Sequence, residues 1–251
     1  APCKTVFAFL QEQVERQERM QKRGTANTYI SACRRFKEFR RNMDLVFDEL
    51  TPGMMEEYEA WLANRNQKPN TIRFYLRTLS TLLGKAVSDG LLSEDRKLFC
   101  RVRLSYVTTA KRAISESDIR AMQNLSLEQD SMLAFARDMF MFSFYMRGMP
   151  FVDIAFLKKT DLKHGMLTYR RKKTNHQQSV EWEQVHREIV GRYAHLAEGS
   201  PYMLPIIKEK DGTEYRQYKR VQENVNRALK KIGNMLGLKV SLTAYVARHS
   251  W

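Results

Sequence analysis

The sequence predicts a mainly helical protein with two domains, a four-helix N-terminal domain and an α+β domain with a small β-hairpin. The chain has 251 residues, which is more than a single domain of about 100 to 200 residues requires. Apolar residues recur at helical spacing throughout the first half of the chain. In the second half, two short alternating segments flank a polar turn, and this pattern is typical of a hairpin.

The charge of the chain predicts an acidic partner. Lys and Arg together number 43 against 28 Asp and Glu, so that the formal net charge is +15. Residues 1–110 carry a net charge of +6 and residues 111–251 a net charge of +9. Positive charge on two folded units favours a nucleic acid that is contacted from two sides. Ribosomal binding, membrane-surface binding and a generally basic surface remain open alternatives.

Other classes of protein are disfavoured by composition. Three scattered cysteines, Cys3, Cys33 and Cys100, are too few for a disulfide framework or a clustered metal site. No stretch reaches the roughly 18 consecutive apolar residues of a membrane span, and the N-terminus lacks the pattern of a signal peptide. We therefore expect a soluble, cytoplasmic protein.

Four helices are predicted in the first half. The second is expected to be capped by Thr25. The third begins with Thr51 as the capping residue and Pro52 at the first helical position. The fourth begins at Pro69 and keeps its apolar period for about five turns, which makes it the clearest of the four.

Basic side chains on the second and fourth predicted helices are candidate DNA contacts. These residues are Arg34, Arg35, Arg73 and Arg77. A basic stripe of this kind is about as often a solvated helix face as a DNA contact. Residues 106–112 are polar and basic, so we predict a linker there, with Lys111 as a further DNA contact, between domains at 1–105 and 113–251.

The second half combines helices with the hairpin. Residues 115–118 have the pattern of a capping box that opens a new helix, and residues 130–146 are apolar nearly all round, as in a helix at the centre of a core. Strands are predicted at 167–170 and 178–182. A last helix is expected to begin at Thr243.

Three widely separated basic residues could hold a phosphate. Arg147 lies where the apolar helix ends, Lys173 lies in the hairpin, and Arg248 lies near the last residue. An arginine binds non-bridging oxygens through its fork of donors, and a lysine can give a proton to a leaving oxygen. Each residue alone is weak support, because most arginines are solvated or structural.

Three segments together resemble the tyrosine recombinases of the phage-integrase type. They are FYMRGMPFVDI at 144–154, YRRKKT at 169–174 and VARHSW at 246–251. The resemblance covers essentially the whole chain and is closest to integrases of Bacteroides-type mobile elements. It implies a SAM-like core-binding domain in the first half and a tyrosine-recombinase catalytic domain in the second.

The resemblance also implies a function and a set of site residues. The family binds duplex DNA as a clamp and acts as a tetramer. It exchanges strands through a 3′-phosphotyrosyl intermediate without metal or nucleotide cofactor, since the covalent step conserves the bond energy. By position, Arg147 and Arg248 correspond to the two arginines and Lys173 to the general acid. Asp153 corresponds to a supporting carboxylate, and His249 is expected to brace its neighbouring arginine.

The chain departs from the family pattern at three places. Pro150 stands where most relatives have the first arginine, so Arg147 would act from an earlier position. Tyr245 stands in the slot of a catalytic histidine, where a phenol can donate a hydrogen bond to phosphate but is a poor acid or base near neutrality. The nucleophilic tyrosine is expected beyond Trp251. The catalytic domain is thus predicted to be truncated at its C-terminus, and these 251 residues are predicted to bind DNA without cleaving it.

Two other functions remain as alternatives. A noncatalytic relative of the integrases, acting as a regulatory or accessory DNA-binding factor, would suit the changes at Pro150 and Tyr245. An RNA-binding protein would suit the charge alone, but the sequence lacks an aromatic stacking motif.

Overall fold

The computed structural model describes residues 4–109 and 112–251, apart from the side chain of Asp95. The chain divides between residues 109 and 110 into two compact units. Each unit has its own core of buried apolar side chains. The two units are described separately below.

The first unit is built from four α-helices, as predicted. They are α1 (Val6–Arg19), α2 (Arg23–Phe39), α3 (Pro52–Ala63) and α4 (Pro69–Ser88). Thr51 caps α3 as expected, because its Oγ1 accepts a hydrogen bond from the backbone N–H of Met54 at 3.1 Å. The prediction that Thr25 caps α2 is wrong. The backbone N–H of Ala26 already donates to the Lys22 carbonyl oxygen, so Thr25 lies inside the first turn.

Aromatic residues and leucines fill the core of this unit. The rings of Phe36 and Tyr58, both fully buried, meet edge to face with centroids 5.4 Å apart. The segment that follows α4 also contributes to the core through Leu92, Leu98 and Val102. This unit therefore includes chain beyond its last helix.

Within its described residues, 112–251, the second unit has six α-helices and a three-stranded sheet. The helices are α5 (Glu116–Gln123), α6 (Met132–Tyr145), α7 (Phe151–Ala155), α8 (Gln184–Arg192), α9 (Glu214–Met235) and α10 (Val246–Ser250). The antiparallel strands are β1 (Leu162–Lys163), β2 (Met166–Arg170) and β3 (Gln177–Glu181), in the order β1-β2-β3. Leu167 pairs with Val180 in the predicted hairpin.

Helix α6 forms the centre of this unit, as its apolar sequence predicts. It packs against α8, α9 and α10. One charged residue, Asp138, is buried within it and accepts a hydrogen bond from the Tyr193 hydroxyl at 2.8 Å. The same carboxylate lies 2.9 Å from Arg137 Nε and 3.0 Å from Arg192 Nε. A buried charge requires such partners, and these contacts join α6 to the end of α8.

Two boundaries show where local patterns succeed and fail. The predicted capping box forms, since the backbone N–H of Asp118 donates to Ser115 Oγ and the backbone N–H of Ser115 donates back to the Asp118 carboxylate. The last helix begins at Val246, so its predicted start at Thr243 is wrong. A tertiary hydrogen bond from the backbone N–H of Ala244 to Asn226 Oδ1, 2.9 Å long, holds the preceding segment in a turn.

The apolar helix α6 is too short to span a membrane. It has 14 residues, and roughly 20 are needed to cross a bilayer. Within residues 4–109 and 112–251, no helix has both the length and the apolar character of a membrane span.

Candidate functional site

A cavity of about 100 Å³ in the second unit brings together two of the predicted site residues. Arg147, which follows α6, and Arg248, in α10, both line it. Arg171, which directly follows β2, also lines it and was missed by sequence reasoning. None of the described residues in the cavity wall is acidic. The wall therefore carries three guanidinium groups with no carboxylate among them.

The turn after α6 fixes the position of Arg147. Both Arg147 and Gly148 have left-handed backbone conformations, with φ values of 54° and 70°. The buried Ser143 holds this turn, because its Oγ donates to the Met149 carbonyl oxygen at 2.7 Å. The carbonyl oxygen of Ser143 in turn accepts from the backbone N–H groups of Gly148 and Met149.

Glycine at position 148 permits the close approach of α10. A Cβ atom there would lie 3.0 Å from Arg248 Cα and 3.2 Å from Arg248 Cγ. Such contacts are tighter than nine in ten real Cβ contacts, so a larger residue requires the turn or α10 to shift by a few tenths of an ångström. The absence of a side chain on Gly148 thus allows Arg147 and Arg248 to share one cavity.

Asp153, the predicted supporting carboxylate, lies on α7 and contacts the hairpin. It is 3% exposed, and its Oδ1 accepts the backbone N–H of Lys172 at 2.8 Å. Its Oδ2 lies 3.5 Å from Arg171 Nε. Asp153 therefore holds the residues that follow β2 and faces the guanidinium of Arg171.

Tyr169 on β2 is a neutral donor in the cavity wall. Burial raises the pKa of Tyr169 to about 12, and the negative charge of Asp153 adds to this rise. The positive charges of Arg171 and Arg248 oppose it. The phenol consequently stays protonated at neutral pH and can donate a hydrogen bond.

Lys173, the predicted general acid, lies in the exposed turn of the hairpin and is not part of the cavity wall. The turn is closed by hydrogen bonds between Arg171 and His176 and between Asn175 and Arg171. The neighbouring Lys172 lies over the Phe156 ring, with Nζ 4.1 Å from the ring centroid. The role of Lys173 stays a prediction.

Tyr245 and His249 also lie outside the cavity wall. Tyr245 is 63% exposed, and its ring meets the edge of the His249 ring with centroids 4.7 Å apart. In the structure His249 thus packs on Tyr245, one turn earlier in the chain. Their predicted roles toward phosphate and toward Arg248 remain untested.

Three of the four predicted DNA contacts in the first unit have an ion-pair partner, and for two of them, Arg35 and Arg73, the pair is close. Arg35 Nη1 lies 2.6 Å from a Glu38 carboxylate oxygen in the same helix. Arg73 on α4 pairs with Glu59 on α3, and its side chain is only 15% exposed. These two arginines stabilise the unit internally, so less of their charge is available to a ligand.

The other two arginines are more accessible. Arg34 is exposed and lies 3.9 Å from its nearest carboxylate. Arg77 is exposed, and its guanidinium carbon lies 5.2 Å from the centroid of the Tyr106 ring. The remaining predicted contact, Lys111, lies outside the described residues.

Comparison with known proteins identifies both parts of the fold. Residues 5–99 match the family model described as the phage integrase SAM-like domain. The chain matches no curated protein sequence. Matches to solved structures instead cover both units.

Three DNA-bound proteins illustrate this structural similarity. The first is a lambda integrase fragment, as a dimer bound to a COC′ core site, with a TM-score of 0.67 and 13% identity over 98% of this chain and 87% of that chain. The second is the Tn1549 transposon integrase in complex with transposon right end DNA, with a TM-score of 0.67 and 13% identity. This match covers 98% of this chain and 85% of that chain. The third is the XerH site-specific recombinase bound to difH substrate, with a TM-score of 0.58 and 16% identity. This match covers 90% of this chain and 66% of that chain.

These comparisons confirm the predicted fold class. A SAM-like helical domain precedes a domain with the integrase catalytic fold, which is mainly helical and carries a small antiparallel sheet. At such low sequence identities the similarity establishes the fold. The closer relationship to integrases of Bacteroides-type elements stays a prediction.

Proposed function

We propose that this protein is a DNA-binding recombinase of the tyrosine type that holds one backbone phosphate of a duplex between Arg147 and Arg248. The observation that carries this proposal is their convergence on one cavity from positions about a hundred residues apart. Neither side chain forms an ion pair with any described residue of the chain. Two unpaired guanidinium groups, each with a fork of N–H donors, form a strong site for a phosphate.

The charge and the fold support duplex DNA as the source of that phosphate. The net charge of +15 favours a polyanion, because each phosphate contact releases condensed counterions. The three structurally similar proteins are described as bound to DNA. We extend the proposal to the first unit, where Arg34 and Arg77 are the accessible charges, so that both units contact the duplex as a clamp.

The chemistry proposed for this fold is strand exchange. A tyrosine oxygen would attack the phosphorus held by the arginines and form a 3′-phosphotyrosyl bond, while the bond to the 5′-oxygen breaks. Lys173 would give its proton to that 5′-oxygen as general acid. We assign the nucleophile to neither Tyr169 nor Tyr245, because the first is held neutral by burial and the second lies outside the cavity wall.

The proposed assembly on DNA is a tetramer of identical chains. Among the structurally similar proteins, a lambda integrase is described as a tetramer bound to a Holliday junction. Exchange of two duplexes requires four strand cleavages, and a tetramer supplies one phosphate site for each.

The proposal is tested by measuring the salt dependence of duplex binding. In a variant with both Arg147→Gln and Arg248→Gln, the slope of log affinity against log salt should fall by about 2, since each lost phosphate contact removes about 1. The matched control carries Arg120→Gln and Arg187→Gln, which alter two exposed arginines of the same unit outside the cavity. If both double variants behave alike, the cavity does not hold a phosphate.

A noncatalytic DNA-binding factor is the second candidate. Pro150 and Tyr245, which replace an arginine and a histidine of the resembling family, favour it. Incubation with a pool of randomised nicked duplexes tests whether these 251 residues can cleave DNA, which a noncatalytic factor cannot do. The expected outcome is binding without a covalent protein–DNA adduct, and an adduct that survives denaturation would show that the chain supplies its own nucleophile.

A further inference from the structure

We propose that Arg171 is a third phosphate-binding arginine and that the cavity takes a single phosphodiester through three guanidinium groups. This inference rests on the proposed function, in which Arg147 and Arg248 hold the same phosphate. Arg171 lies in a run of four consecutive cationic residues at 170–173, and the sequence alone does not show which of them binds a ligand. Three structural observations single it out.

The first observation is that the Arg171 side chain is partly buried beside the carboxylate of Asp153. The side chain of Arg171 is 23% exposed, and Nε lies 3.5 Å from the buried carboxylate of Asp153. Asp153 is itself fixed by the backbone N–H of Lys172. A side chain that is positioned before the ligand arrives loses little conformational entropy on binding.

The second observation is that part of the guanidinium is unused. Arginine has five N–H donors, and Nε is the guanidinium atom 3.5 Å from the Asp153 carboxylate, although it forms no hydrogen bond. Its Nη groups make no hydrogen bond or ion pair with any described residue. Since Arg171 also lines the cavity, these donors are available to an oxyanion inside it.

The third observation is the charge balance of the site. Arg147, Arg171 and Arg248 surround the cavity, and Asp153 is the only carboxylate paired with any of the three among the described residues. The site thus holds an excess of two positive charges. Arg147 and Arg248 are exposed, so solvent screens part of the repulsion among the three charges. The entry of an anion relieves the repulsion that is left.

The chemical class of the ligand follows from the donors. Guanidinium groups from three sides match the non-bridging oxygens of a tetrahedral oxyanion. The neutral phenol of Tyr169 offers a further donor in the same wall. A phosphodiester in a duplex backbone carries one negative charge, so three arginines would also stabilise the additional charge that develops when its phosphorus is attacked.

The experiment compares Arg171→Gln with Arg170→Gln. Both remove one positive charge from the same strand end, but Arg170 is exposed, donates to the Asn175 carbonyl oxygen and is not part of the cavity wall. Two affinities are measured for each variant, one for a short random-sequence duplex and one for inorganic sulfate at constant ionic strength. Arg171→Gln should weaken both about tenfold, the equivalent of one charge-assisted contact, whereas Arg170→Gln should change sulfate affinity less than about twofold.

The outcomes distinguish this inference from the proposed function. Equal effects of the two substitutions on sulfate and duplex affinity would overturn the role of Arg171 and leave the two-arginine site standing. A parent protein that fails to bind the duplex would overturn the proposed function, while a sulfate affinity that depends on Arg171 would still support an anion site. Should Arg171→Gln unfold, Arg171→Lys retains the charge facing Asp153 and loses the fork of donors. It should then weaken sulfate binding at least threefold, and unchanged binding would overturn the inference.

Discussion

Arg73 in the first unit and the two candidate phosphate-binding arginines of the second unit differ in what faces them. In the first unit, Arg73 is paired with Glu59 and largely buried. In the second unit, Arg147 and Arg248 line a cavity and form no ion pair with a described residue. A paired arginine is already neutralised, and releasing it would leave a carboxylate without a partner. The sign of a residue's charge therefore says less about ligand binding than the presence or absence of an internal partner.

The largest expected effect is that of Gly148→Ala. The added Cβ meets the backbone of Arg248 at 3.0 Å in a left-handed conformation, so we expect the free energy of unfolding to fall by about 2 to 4 kcal/mol. Gly165→Ala is the matched control, because Gly165 has a similar φ of 75° and open space around its Cα. Gly165→Ala should lower the free energy of unfolding by only about 1 kcal/mol. Urea denaturation measures the free energy of unfolding of both variants. Equal losses would show that the close packing of Gly148 against α10 does not contribute to stability.

The next effect separates the two arginines of α4. Arg73→Gln leaves Glu59 without its partner in a partly buried position, so the free energy of unfolding should fall by about 1 to 2 kcal/mol. Arg77→Gln removes an exposed side chain and should change it by less than about 0.5 kcal/mol. Thermal or urea unfolding of the two variants checks this order, and the reverse order would contradict the assignment of Arg73 to internal pairing.

The same pair of variants should show the opposite order in DNA binding. Arg77→Gln should lower the salt slope of duplex binding by about 1, because its charge is accessible. Arg73→Gln should leave the slope unchanged as long as the unit stays folded. A loss of slope confined to Arg73→Gln would mean that DNA displaces Glu59, and the comparison between the two units would fail.

The smallest expected effect concerns the ionisation of Tyr169. The pKa of Tyr169 is raised from its ordinary value of 10.0 to about 12, chiefly by burial. The resulting stabilisation is complete below the pKa of the unfolded phenol and is lost as the pH rises through about 12. Arg171→Gln removes a charge that lowers this pKa, so ionisation should move to still higher pH. The difference in absorbance between the protein and its Tyr169→Phe variant, followed against pH, reports the ionisation of Tyr169 alone. A lower Tyr169 pKa in Arg171→Gln would contradict the interaction between Arg171 and Tyr169.

Much of the architecture could be predicted because its signals are local. The Thr51 cap, the start of α4 at Pro69 and the capping box at Ser115 each depend on side chains within one helical turn. The hairpin follows from alternation in two short segments. The start of α10 could not be predicted in this way, because Asn226 on another helix holds the chain just before it.

The candidate site was only partly predictable for the same reason. Arg147 and Arg248 were selected through a family resemblance, and the structure brings them to one cavity. Arg171 was missed because it belongs to an unbroken run of cations at 170–173, in which no local pattern tells which side chain turns toward α6 and α10. Asp153, nearly twenty residues away in sequence, makes that distinction through its contacts with the hairpin.

The sequence by itself determined the class of fold, the helix starts that have local caps, and the surplus of positive charge. These features depend on composition and on neighbours a few residues apart, so folding does not alter them. The tertiary structure decided which charges are neutralised and which are left unpaired. It pairs Arg73 with Glu59 across two helices, and it brings α10 against Gly148 so that Arg147 and Arg248 line one cavity. Ion pairs and close packing depend on separations of a few ångströms in space, and linear spacing along a chain does not specify such distances.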